Sequence, residues 1–132
     1  MSPNLHLPIR NEAEASRAAL QATAYLRAAG VADLISQKLA TAVSELARNI
    51  VKYAGTGEIW LRPVQGKRGR GIEVEAVDQG PGIEDPEAAM QDHVSTGGTL
   101  GLGLPGVRRL MDEFTLDSAP NEGTRVTVRK WL

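Results

Sequence analysis

Hydrophobic and polar positions alternate along residues 5 to 9 (LHLPI), and Pro8 suits only an outer strand, so the chain opens on a predicted edge strand. Asn11 then offers a helix N-cap, with Glu12 and Glu14 in the first turn, where the helix dipole favours anions. Alanine-rich spacing predicts a helix to about Ala29, stopped by Gly30. From Val31 to Tyr53, the residues Leu34, Leu39, Val43, Leu46 and Ile50 recur near helical spacing and predict one apolar stripe on a long helix that Gly55 ends. The stretches Glu58 to Val64 and Ile72 to Val77 alternate as strands and predict a hairpin around QGKRGRG, whose Lys67, Arg68 and Arg70 solvate its tip.

Residues 78 to 103 have no sustained period and are dense in glycine and proline. Such a length without secondary structure is unusual in a compact domain and points to function. A third helix is predicted from about Pro105 to Glu113, with proline in the first turn where its missing N–H costs nothing. Phe114 to Ser118 and Thr124 to Trp131 predict a closing antiparallel pair around PNEG. The order of elements is strand, two helices, two strands, loop, helix, two strands. That order predicts an α/β sandwich in which one mixed sheet carries its helices on one face.

The chain has 132 residues, enough for one domain that buries roughly two-thirds of its unfolded surface. It has no cysteine, which removes disulfides, zinc-thiolate sites and cysteine nucleophiles. Fifteen basic against sixteen acidic residues leave no excess charge for a phosphate backbone or an anionic membrane, so neither nucleic acid nor membrane is an expected partner. With no signal-like segment or long apolar run, the expected address is the cytoplasm. Glycine is the unusual count: 14 residues, where ordinary usage of about 7% gives roughly nine. Seven of them fall between Gly80 and Gly106.

Three clusters can carry chemistry. In SELARN (residues 44 to 49), Glu45 and Asn49 lie four apart and share a helix face. The carboxamide oxygen can bind a hard cation such as Mg²⁺ and the carboxylate can take a proton from a hydroxyl; a solvated face with Glu45 paired to Arg48 fits the same spacing. In DQGPG (Asp78 to Gly82), following a buried strand, Asp78 can accept from an exocyclic amine, and Gly80 and Gly82 let a flat ring approach the main chain; a bare turn fits equally. STGGTLGLGLPG (Ser95 to Gly106) runs into the third helix and can cradle phosphate with its N–H groups, or serve as a linker. It is neither a P-loop nor a dinucleotide GxGxxG. His6 and His93 lack metal-ligand spacing, and Trp60, Phe114 and Trp131 fit core or rim positions.

The ordered set, completed by Gly123-Thr124 opening the last strand, resembles the GHKL superfamily of ATP-binding folds across nearly the whole chain. SELARNIVKYAG, VDQGPGI, GLPGVRRLMDEF and the terminal KWL are similar to the serine/threonine switch kinases of bacterial stress regulation, of the RsbT type. The resemblance implies a single Bergerat-type domain over residues 1–132, a two-layer sandwich with a mixed, mostly antiparallel sheet. It implies ATP with Mg²⁺ as cofactors, Asn49 as the metal ligand and Glu45 as the catalytic base. It places Asp78 on the adenine amine, Gly80, Gly82 and Ile83 beside the ring, and Thr124 at the adenine end through a water. Thr96, Gly97 and Gly98 form the lid, and Gly101, Leu102, Gly103 and Leu104 line the phosphates. Here the lid reads Gly98-Thr99-Leu100-Gly101-Leu102-Gly103, with Thr99 and Leu102 where the family pattern has smaller residues.

Phosphoryl transfer asks for alignment and charge neutralisation more than covalent work, so Arg48 is a candidate aid to catalysis, as is Arg108. Surface ion pairing accounts for both equally simply. The implied substrates are serines or threonines on STAS-domain proteins, both an antagonist and the scaffold of a stressosome. On release, the implied downstream partner is a phosphatase or other effector. The rival reading is an anti-sigma-factor-like binding module in which ATP is mainly structural.

Overall fold

The computed structural model describes residues 4–82, 90 and 103–132. Strand β1 (Leu5–Ile9) leads into α1 (Glu12–Ala28) and α2 (Asp33–Tyr53), then β2 (Gly57–Gly66), β3 (Gly69–Asp78), α3 (Gly103–Leu110), β4 (Glu113–Ser118) and β5 (Thr124–Trp131). The five strands form one sheet in the order β1-β2-β3-β5-β4. All four pairings are antiparallel, so the sheet is not the mixed one expected: β5 inserts between β3 and β4, which keeps those two strands of like direction from pairing.

Local chemistry accounts for the helix ends. Asn11 caps α1, its Oδ1 accepting the Glu14 N–H at 2.9 Å, and Glu14 also accepts from the Arg10 side chain. At the other end Val31 N–H reaches back to Leu26 O, and Gly30, at φ 81°, donates to Arg27 O, which is the Schellman closure. Helix α2 begins at Asp33 rather than Val31, and its buried face is Ser36, Leu39, Ala42, Val43, Glu45, Leu46, Ala47 and Ile50. Leu34, expected on that stripe, is 64% exposed, because five residues before Leu39 it lies about 140° round the helix from the buried face.

The sheet register sets side chains in rows across the strands. On the face under α1 and α2, one row runs Leu7, Ile59, Ala76, Val126 and Leu116, and the next Leu5, Leu61, Val74, Val128 and Phe114. These rows and the helices enclose the core. A third row, at one end of the sheet, runs Ile9, Gly57, Asp78, Thr124 and Ser118. It turns from apolar to polar along its length, and that change positions the site.

The β2–β3 hairpin and α3 also differ in extent from expectation. Strands β2 and β3 continue through the glycine-rich segment to a two-residue turn at Lys67 and Arg68. Trp131 explains this: a Cβ on Gly66 or on Gly71 would lie 2.5 Å from its ring, so the indole occupies the space that side chains there would need. Helix α3 runs from Gly103 to Leu110, earlier than expected at both ends. Its C-terminus is set by β5, since Asp112 N–H donates to Arg129 O at 2.9 Å and the Asp112 carboxylate accepts the Trp131 N–H at 2.8 Å.

The opposite face of the sheet carries alternating charge. Arg62 bonds Glu73 at 2.6 Å and Glu75 at 3.3 Å, and Arg129 bonds Glu73 at 2.9 Å. His6 stacks on Trp60 at 4.0 Å between centroids and meets Glu58 at 2.9 Å. Among the described residues, no helix is long and apolar enough to cross a membrane.

Candidate functional site

A cavity opens where the C-terminal half of α2 passes over the polar row of the sheet. Leu46, Ile50, Ala76, Leu104 and Val126 give it apolar walls, and Asn49, Tyr53, Asp78 and Thr124 supply polar groups. An apolar slot with a few convergent polar groups suits a flat heteroaromatic ligand. Asn49 reaches it because α2 turns the 46, 49, 50, 53 face toward the sheet. Asp78 ends β3 and Thr124 begins β5, and the two are direct cross-strand partners.

Asp78 is held by its own loop, Oδ1 accepting the Gly80 N–H at 2.9 Å. That bond leaves a second carboxylate oxygen to serve a ligand. Thr124 Oγ1 lies 2.8 Å from Ser118 Oγ. Gly80 and Gly82 contribute by close backbone approach: a Cβ on Gly80 would fall 2.6 Å from Ala54 Cβ, and one on Gly82 would overlap the Ala119 carbonyl. Gly82 also adopts φ 80°, which favours glycine. Protein atoms fill the space beside these two glycines, so their first effect is to seat the loop after β3 against α2 and the β4–β5 turn. Asn121 N–H donates to Pro81 O at 2.6 Å and fastens the same junction.

Glu45 lies one turn before Asn49 and is 8% exposed, so the solvated-face alternative with an Arg48 pair does not describe it. Its Oε2 accepts the N–H of Gly103, the first residue of α3, at 3.3 Å. Gly103 has φ 66°, and the adjacent Leu104 is buried and lines the cavity. Arg48 and Arg108 are both exposed, and neither lines the cavity. Ile83, Thr96, Gly97, Gly98, Gly101 and Leu102 lie outside the described residues.

The fold thus brings Asn49, Asp78, Thr124 and Leu104 around one cavity, with Glu45 and Gly103 joined beside it. Sequence reasoning missed Leu46, Ile50, Tyr53, Ala76 and Val126 as lining residues. The signal for three of them was present, because Leu46, Ile50 and Tyr53 sit at i−3, i+1 and i+4 from Asn49 and share its helix face. Among the described residues, no three His, Cys, Asp or Glu side chains stand together as a metal cluster. Asn49 is a fitting ligand for a hard cation that takes few protein oxygens and completes its shell with phosphate and water.

Residues 8–130 match the family model of the histidine kinase-like ATPase domain. The chain belongs to the histidine kinase-like ATPase family. It is 53% identical over 95 residues to the serine/threonine-protein kinase RsbT of Bacillus subtilis, a match covering 72% of this chain and 71% of that one. It is 33% identical over 96 residues to the anti-sigma F factor of a Thermoanaerobacter species, covering 70% and 67%. Among solved structures, the RsbU and RsbW domains of a Mycobacterium tuberculosis protein superpose with a TM-score of 0.69 at 17% identity. That match covers 98% of this chain and 32% of the other, and shows the shared fold. The SiaB–SiaC complex of Pseudomonas aeruginosa provides another such fold, with a TM-score of 0.61 at 15% identity, covering 96% and 88%. Within its family the chain is an ATP-using serine/threonine kinase of the RsbT type.

Proposed function

We propose that residues 1–132 act as one kinase unit that binds Mg-ATP in this cavity and phosphorylates a serine or threonine on a STAS-domain partner. The observation that carries the reading is the facing of Asn49 on α2 and the Asp78–Thr124 pair on the sheet across an apolar slot. When bound, Mg-ATP supplies the transferable phosphoryl group and the cation that spreads its charge. Asp78 accepts from the exocyclic amine of adenine, and Thr124 supports the same end through a water. Leu46, Ile50, Ala76 and Val126 pack the ring and exclude solvent. Asn49 holds the cation through its amide oxygen.

Glu45 is the proposed base, taking the proton of the attacking hydroxyl and so sharpening its nucleophilicity. Gly103 marks the head of α3 and is assigned to the phosphate side with the proposed cradle and lid residues Gly101, Leu102 and Thr96 to Gly98, while its own N–H is held by Glu45. Ile83 is assigned to the ring, and Arg48, exposed outside the cavity lining, to neutralising charge on the transferring phosphoryl group. The stressosome scaffold and an antagonist, both STAS proteins, are the proposed substrates, and a phosphatase or other effector is the proposed target after release in the cytoplasm. The names of the kinase and anti-sigma relatives support a partner-switching role of this kind.

Incubation with Mg-ATP and a STAS-domain protein, followed by mass analysis for phosphoserine or phosphothreonine, tests the reading. A gain of one phosphate on the partner is expected. An intact complex with no transfer overturns it in favour of the anti-sigma-like binding module.

A further inference from the structure

The polar row of the sheet does not stop at Thr124. Ser118 on β4 pairs with Thr124 across the next strand, so Asp78, Thr124 and Ser118 stand side by side at one level of the sheet. The Ser118 hydroxyl lies 3.0 Å from the Gly123 carbonyl and 2.8 Å from Thr124 Oγ1. A carbonyl only accepts, and a serine hydroxyl has one proton to give. With that proton on Gly123 O, the short contact between the two hydroxyls is filled by the Thr124 proton. The reverse arrangement leaves the carbonyl of buried Gly123 without its donor, which is the costlier network.

The acceptor that sets this direction is itself fixed. Gly123 adopts φ 78°, and the place of a side chain there is taken by the Asp78 carbonyl, so the turn before β5 is clamped onto the end of β3. The Gly123 carbonyl therefore directs Ser118, and Ser118 directs Thr124. Thr124 then meets the cavity with lone pairs only, beside a carboxylate that is also an acceptor.

We infer that Ser118 is a positioning residue that holds the Thr124 hydroxyl as an acceptor and so makes the cavity select a purine bearing an exocyclic amine over one bearing a keto oxygen. The inference rests on the nucleotide reading of the cavity. The water proposed between Thr124 and the base gives its protons to the Thr124 and Asp78 acceptors and turns a lone pair to the base, which an exocyclic N–H fills and a keto oxygen does not. Without Ser118 the Thr124 hydroxyl can rotate and donate to that water, which then has a proton for the keto oxygen.

Binding of ATP and of inosine triphosphate, measured by calorimetry for the unaltered protein, Ser118→Ala, Ser118→Cys and Ser118→Thr, tests this. Loss of the hydroxyl is expected to lower the ATP-to-ITP affinity ratio about tenfold, in line with the cost of mispaired polar groups in a base-reading site. Ser118→Thr, which keeps the hydroxyl, should hold the ratio near that of the unaltered protein. Ser118→Cys keeps the side-chain size with a poor hydrogen-bonding group, and decides the matter should Ser118→Ala fold badly. An unchanged ratio in a folded Ala or Cys variant that still binds ATP overturns the role of Ser118 alone. Failure of the unaltered protein to bind ATP overturns the cavity reading and the inference together.

Discussion

The Glu45 carboxylate on α2 accepts the backbone N–H of Gly103 at the head of α3, 3.3 Å away. The bond couples the proposed base to the first N–H of the helix proposed to face the phosphates. A carboxylate at a helix N-terminus is favourably placed by the dipole, so Glu45 helps seat α3 as well as serving chemistry. Two substitutions separate these roles. Glu45→Gln keeps an oxygen for Gly103 but loses the base, so phosphoryl transfer should fall about 10²–10⁴-fold with ATP affinity nearly unchanged. Glu45→Ala should lose transfer and also loosen α3, raising the Kd for ATP above that of Glu45→Gln. Single-turnover transfer rates and calorimetric affinities read the two effects, and equal transfer by Glu45→Gln and the unaltered protein would rule out Glu45 as the base.

Asp78 divides its carboxylate between Gly80 N–H and the cavity. Asp78→Asn can keep the loop bond through its amide oxygen while turning an NH₂ donor toward the ligand. ATP affinity should fall about 10- to 100-fold, the cost of an unmatched donor in a site built for acceptance. Melting temperature without nucleotide should change little, which distinguishes a recognition defect from a folding one. Retention of full ATP affinity in Asp78→Asn would remove Asp78 from base recognition.

The long amphipathic α2 was legible because its core face repeats at helical spacing, and Glu45 and Asn49 followed from their separation of four. The capped α1 and the strands β1, β4 and β5 were legible from other local signals: the Asn11 cap, alternation along the strands and the PNEG turn. What escaped was decided by distant partners. Gly66, Gly69 and Gly71 look like loop until Trp131, some sixty residues away, lies over two of them and turns the segment into strand. The end of α3 depends on Asp112 being claimed by Arg129 and Trp131. Ser118 carried no motif, and its place beside Thr124 emerges only from the β4–β5 register. Gly80 and Gly82 were singled out correctly as special backbone positions, yet protein atoms from Ala54 and Ala119 occupy the space beside them.

Acid should unfold the protein through a small set of carboxylates. The Arg10 hydrogen bond holds Glu14 down at about 2, although its surface exposure limits what it adds to stability. Burial pushes Glu73 upward, but its bonds to Arg62 and Arg129 outweigh that and leave it below the ordinary carboxylate range. Asp112 behaves alike, with burial opposed by the Trp131 N–H and Lys130. A depressed native pKa means stability that is fully present above the unfolded pKa and is lost as pH falls through the native one. Stability should therefore be flat near neutrality and decline below the usual carboxylate values of 4.5 for Glu and 3.8 for Asp. Glu73→Gln should cost about 1–3 kcal/mol at pH 7 and flatten that decline, as read by denaturant titrations at several pH values. An acid limb as steep in Glu73→Gln as in the unaltered protein would exclude Glu73 as a contributor.

Trp131 and Gly66 form a pair whose energetics can be separated by a double-mutant cycle. A Cβ on Gly66 would meet Cη2 of the indole at 2.5 Å and Cζ3 at 2.9 Å, its three nearest atoms all belonging to that one ring. Gly66→Ala alone should destabilise by about 1–3 kcal/mol, as overpacking does. Trp131→Ala alone should also destabilise, by uncovering the end of the β2–β3 hairpin. In the Trp131→Ala background the added methyl has room, and alanine costs less backbone entropy in a strand than glycine, so Gly66→Ala should there be neutral or stabilising. A coupling energy of about 1–3 kcal/mol in urea unfolding is the expected signature of the contact. Additive costs would mean that the strand tolerates a side chain at position 66 by moving, and that the indole does not define the hairpin's length.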